Sequence, residues 1–144
     1  MKRIFLLSLL FIAFIQVIQA QAVAEISFVT EKYNFGEIEE GPKVTHDFKF
    51  INTGEAPLLL TNVKASCGCT TPSWPKEPIL PGEEGIILVT YNTAKRPGSF
   101  NKSITITSNS ATPTKVIYIN GEVKAAPEEE TMPIKQPLMM APSN

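Results

Sequence analysis

Between Ile26 and Val123 the chain is built from short stretches in which apolar and polar residues alternate, and no helical period runs through them. The clearest stretch is Val44, His46, Phe48 and Phe50, interleaved with Thr45, Asp47, Lys49 and Ile51; a period of two places one set on a core face and the other toward solvent. Ile26-Ser27-Phe28 and Tyr33-Asn34-Phe35 show the same alternation and read as one broken edge strand. Gly36 to Pro42, punctuated by Gly41-Pro42, is expected to turn the chain into the Val44 strand. Asn52-Thr53-Gly54 ends that strand with residues that tolerate a left-handed backbone, which predicts a hairpin or a sheet-changing corner before Leu58 to Ala65.

Pro72, Pro75, Pro78 and Pro81 each remove a backbone donor, so the segment from Pro72 to Gly85 is expected to be a surface loop. Pro81-Gly82 suits the two central positions of a type II turn. Ile86 to Tyr91 follows with apolar residues on both faces, the pattern of a central strand. Phe100, Ile104 and Ile106 mark a further strand after the Arg96-Pro97-Gly98 turn. Ile117, Ile119 and Val123 mark the last one, after a turn over Asn109 to Pro113. About seven short strands at regular spacing, with turn signals between them, predict an all-β, immunoglobulin-like antiparallel β-sandwich. A partly open barrel is the competing architecture.

The two ends change the picture. Lys2 and Arg3 precede an apolar run from Ile4 that leads to Ala20-Gln21-Ala22, a positive region, a hydrophobic region and a small-x-small site. This predicts a secretory signal peptide over residues 1–22, cut after Ala20 or Ala22. The run is shorter than the ~20 residues that span a bilayer, so no membrane span is expected once it is removed. Residues 23–124 form the expected domain. From Ala125 onward prolines and glutamates without a period predict a disordered tail over 125–144. Export implies a periplasmic, cell-surface or extracellular location. Loss of Lys2 and Arg3 makes the formal charge, −1 for the whole chain, more negative still. With no basic cluster, nucleic acid is not an expected partner.

Candidate chemistry is concentrated in Ser66-Cys67-Gly68-Cys69-Thr70-Thr71-Pro72-Ser73-Trp74, which holds both cysteines and the only tryptophan. Residues two apart on an extended strand have Cα atoms roughly 6.5 Å apart, near the outer limit for a disulfide. A turn at Gly68 shortens that distance, so Gly68 is the permissive element, with Thr70 and Trp74 shaping the rest of the loop. Three readings stay open for Cys67 and Cys69. They form a small disulfide that staples the loop; they work as a thiol-redox pair or a Cu(I) site; or they pack as buried thiols under Trp74. Trp74 itself either caps the end of the core or stands exposed as a binding aromatic.

Elsewhere the residues favour structure over chemistry. His46, the only histidine, is adjacent to Asp47 and therefore points to the opposite face of its strand. It offers neither a catalytic dyad nor, with only two cysteines in the chain, the four ligands of a structural zinc. Glu39-Glu40, Glu83-Glu84 and Glu128 to Glu130 fall at turns or in the tail. Met132, Met139 and Met140 are soft thioether ligand types for copper, but methionines in a tail are more often incidental. No cofactor, metal or catalytic residue is expected.

Several segments carry a resemblance. Tyr33-Asn34-Phe35-Gly36, Phe48 to Gly54, Pro57-Leu58, Ser66-Cys67-Gly68-Cys69-Thr70, Pro81-Gly82-Glu83 and Tyr91-Asn92 resemble the bacterial domain of unknown function family 1573. The resemblance spans roughly residues 30 to 123. It implies an exported immunoglobulin-like domain related to Hydin and major sperm protein type modules, and lends no activity. The expected role is a non-enzymatic binding or assembly module of the bacterial cell envelope whose partner is another envelope protein. The alternative is a periplasmic thiol-redox or copper-handling protein using Cys67 and Cys69.

Overall fold

A computed structural model describes residues 21–126. Nearly all of the expected signal peptide and tail, with Met132, Met139 and Met140, lies outside the described residues. The fold is all-β. Eight strands run in chain order as β1 (Ile26–Phe28), β2 (Lys32–Glu39), β3 (Lys43–Asn52), β4 (Leu60–Ala65), β5 (Thr70–Ser73), β6 (Glu84–Asn92), β7 (Gly98–Ser108) and β8 (Thr114–Lys124). They make two four-stranded sheets, ordered β1-β3-β6-β5 and β2-β8-β7-β4. All pairs are antiparallel except β2 with β8, which is parallel.

The core lies between the sheets and follows the alternation. Phe48 and Phe50 from β3, Ile87, Val89 and Tyr91 from β6, Ile104 and Ile106 from β7, and Ile117 and Ile119 from β8 are buried together. Burial of each such side chain contributes roughly 1.5–3 kcal/mol relative to exposure. Two glycines mark where rings press on backbone. A Cβ on Gly85 would collide with the Phe50 ring, and one on Gly121 would come within 3.0 Å of Phe100 and 2.9 Å of the Gly36 carbonyl oxygen.

Four elements differ from expectation, each for a local reason. Ile26–Phe28 and Tyr33–Phe35 belong to separate sheets, and β2 runs on through Gly36 to Glu39, expected to be part of a turn, because Glu37 to Glu39 pair with β8 as far as Lys124. The Val29 amide donates to Lys49 O in the first, and Glu31 O accepts from the Tyr118 amide in the second, so the chain changes sheets within three residues. In β4 a register shift between Leu60 and Asn62 replaces the even alternation, so that Leu60 and Val63 are the buried pair. Pro72 sits inside β5 instead of a loop; β5 is an edge strand, where a missing amide need not interrupt a ladder.

Gly54 is the fourth. Its backbone is not left-handed, and it is required because a Cβ would strike the backbone of Val23 and Glu25. The turn it closes is the sheet-changing corner. By contrast Gly82 does carry a positive φ of 79°, and Glu83 N donates to Leu80 O at 3.0 Å, as a type II turn requires.

Candidate functional site

The two cysteines lie in the connection from β4 to β5, which crosses from one sheet to the other at one flank of the sandwich. The crossing is held at both ends by bonds that do not involve sulfur. Ser66 N donates to Ser103 O at 2.9 Å, Ser103 N donates back to Ser66 Oγ at 3.2 Å, and Asn92 N donates to Cys69 O at 2.9 Å. Between them Thr70 N donates to Cys67 O at 3.3 Å, closing a turn around Gly68 and Cys69. That turn brings the Cys67 and Cys69 Cα atoms to 5.3 Å, and the sulfurs are bonded to each other.

The surroundings are unequal on the two sides. Cys69 is 9% exposed and belongs to the core cluster, whereas Cys67 is half-buried at its margin. Thr70, itself buried, holds its hydroxyl 3.6 Å from the Cys67 sulfur and 3.9 Å from the Cys69 sulfur. A disulfide sulfur has no proton to give, so the hydroxyl is the donor in both weak contacts. Beside the bond a surface depression of about 450 Å³ is lined by Lys43, Gly68, Cys69, Thr71, Thr90 and Asn92.

Gly68 does not have the role its position suggests. Its φ is not left-handed and a Cβ there would meet nothing within 4 Å, so the turn does not demand glycine. A side chain there would project into open space. Trp74 follows β5, half-buried against the core cluster, with Lys76 Nζ 3.0 Å from its ring centroid. Its indole Nε1 is buried without a hydrogen-bond partner among the described residues. The ring thus packs inward on one side and is covered by a cation on another.

His46 stands at the opposite flank. It stacks on Tyr33 at 3.5 Å between centroids and 9° between planes, with Phe48 edge-on at 4.7 Å. Burial pushes its pKa below the ordinary 6.5, opposed by the smaller effect of neighbouring Asp47. The group thus favours the neutral imidazole as a packing element that ties β2 of one sheet to β3 of the other.

One important residue had no sequence signal beyond that of a turn former. Asn52 is fully buried. Its Nδ2 donates to Ala56 O at 2.8 Å and Ile79 O at 2.9 Å, while its Oδ1 accepts from Gly54 N at 3.0 Å and Glu25 N at 3.4 Å. Every polar atom of the side chain is satisfied, and the network joins the residue just before β1 to the corner and to the proline-rich segment.

The family model described as "Protein of unknown function (DUF1573)" matches residues 26–123, the whole of the sandwich. The chain belongs to this family. A comparison with curated proteins finds no match. Among solved structures, a protein of unknown function from Porphyromonas gingivalis W83 is similar, at 22% identity and a TM-score of 0.59 over 70% of this chain. The chain spans 46% of that protein's length. The ASH/PapD-like domain 7 of human CEP192 is similar at 9% identity and a TM-score of 0.60, covering 72% of this chain and 88% of that one. The secreted serine protease VesC from Vibrio cholerae shares 18% identity at a TM-score of 0.53, over 68% of this chain and 23% of its own. These likenesses establish the DUF1573 domain as an immunoglobulin-type sandwich of PapD-like form.

Proposed function

We propose that this DUF1573 protein is an exported, non-enzymatic binding or assembly module of the bacterial cell envelope, held by another envelope protein. The observation that carries the proposal is the outward face of β6. This strand is central in its sheet, yet Ile86 and Leu88 are 44% and 38% exposed on the side away from the core. They stand opposite Lys49 and Asp47 on β3, so two apolar side chains sit within a polar surround, the arrangement of an interaction patch. Export rests on the leader pattern of residues 1–22, and kinship with Hydin and major sperm protein modules rests on the PapD-like form of the sandwich.

In-cell photocrosslinking on the full chain tests the reading. With a photoreactive residue at Leu88, a discrete adduct to an envelope protein is expected in the envelope fraction, starting from a mature N-terminus at Gln21 or Val23. The adduct should disappear with Ile86→Asp. A product that keeps Met1 in the cytoplasm, or an adduct pattern indifferent to Ile86→Asp, would refute it.

A further inference from the structure

We propose that the Cys67–Cys69 disulfide is an exchangeable redox bond that accepts two electrons from a dithiol on a partner protein, and is not a staple. Three observations carry the proposal. The first is what the bond joins. It links residues separated by two positions, whereas the sheets are already tied across the same crossing by the Ser66–Ser103 and Asn92–Cys69 hydrogen bonds. A bond closing so short a loop constrains the unfolded chain little, so opening it leaves the fold nearly as stable.

The second is access. Cys67 is half-buried at the rim of the core, a side chain at Gly68 would meet nothing within 4 Å, and the depression lined by Gly68, Cys69 and Lys43 opens on the Cys69 side of the bond. The third is the asymmetry of the pair: Cys67 is half-buried at the rim while Cys69 is 9% exposed within the core cluster, so Cys67 is the sulfur a thiolate reaches first. Thr70 places a hydroxyl within 4 Å of both sulfurs, 3.6 Å from Cys67 and 3.9 Å from Cys69, and a hydroxyl donor steadies a thiolate as it leaves.

The step balances as ordinary thiol-disulfide exchange. A thiolate of the partner dithiol attacks Cys67 Sγ, forming a mixed disulfide and breaking the Cys67–Cys69 bond. Cys69 departs as the thiolate beside the Thr70 hydroxyl. The partner's second thiolate then attacks its own sulfur in the mixed disulfide and releases Cys67 as a thiolate. The partner dithiol has been oxidised to a disulfide, the Cys67–Cys69 pair reduced, and both new thiolates take protons from solvent.

Glutathione serves as the probe, with the full mature chain equilibrated in mixtures of its reduced and oxidised forms and the thiol state read by alkylation and intact mass. The pair is expected to pass from disulfide to dithiol within the range of mixtures glutathione can set, while the near-ultraviolet circular dichroism stays native. Cys69→Ser should collect one glutathione on Cys67, at least tenfold faster than Cys67→Ser collects it on Cys69. Thr70→Val should slow exchange while Thr70→Ser restores it. A bond that stays closed at every mixture, or opens only as the native spectrum is lost, would overturn the proposal. Equal rates for the two single-serine variants would overturn the assigned direction of attack. Loss of the β6 crosslink has no bearing on these readouts, so the two proposals fail separately.

Discussion

Asn52 concentrates more of the fold in one side chain than any other polar residue described. Its four hydrogen bonds converge from segments 27 residues away on each side, Glu25 and Ile79, and from the adjacent corner at Gly54 and Ala56. Asn52→Ala removes both ends of the amide and leaves buried carbonyls and amides unpaired. A loss of about 2–4 kcal/mol is expected on that basis, read as a fall in the urea midpoint; an unchanged midpoint would show that water replaces the amide. His46 makes a prediction about acid. Its folded pKa is lowered by burial, so the unfolded chain binds the proton first. The neutral form's contribution is complete above the unfolded value near 6.5 and is lost as pH falls below it toward the lowered folded value. The melting temperature should therefore drop on acidification in that window. In His46→Phe, which keeps a ring against Tyr33, that part of the drop should vanish; an identical pH profile in the two proteins would contradict the assignment.

At the scale of the elements, glycines separate space from handedness. Gly121 faces Phe100 and the Gly36 carbonyl, so Gly121→Ala should force β2 from β8 and lower stability by about 1–3 kcal/mol, the usual cost of overpacking. Gly68→Ala should change it by less than about 0.5 kcal/mol, as for surface substitutions generally. A thermal melt of the two variants side by side decides whether these roles are assigned correctly. The strands β3, β7 and β8 were legible from alternation, and β6 from apolar residues on both faces, because their registers run without bulges through the pairs Phe48 with Ile87 and Ile104 with Ile117. β4 was placed but its buried set was not, since the shift after Leu60 breaks the period that would assign Leu60 and Val63 to the core. Pro72 concealed β5 because a proline argues against a strand unless the strand is known to be at an edge, and edges are set by partners far along the chain. The proximity of Cys67 and Cys69 followed from their spacing. Their place at a crossing between sheets did not, because it depends on which sheet each neighbouring strand joins.

For the whole molecule, the sheet order places two free edges at each flank, β1 and β2 on one and β4 and β5 on the other. The aromatic stack of Tyr33 and His46 closes the first flank, and the Cys67–Cys69 crossing closes the second. The interior is thereby sealed at both sides by different chemistry, a stacked imidazole and a sulfur bond. The outward face of β6 stays free of either.

The parallel ladder between β2 and β8 has a consequence for how the domain comes into being. Asn34 lies beside Asn120, and Ile38 beside Val123, so the second strand has no neighbour in its own sheet until the final strand exists. An emerging chain can zip β3 with β6 and lay down half the core while β2 waits, its polar backbone still in water. Assembly of the molecule is therefore finished from its end rather than its beginning. Closing so distant a pair places the domain among slow folders for its size, with a rate governed by loop closure more than by local preference.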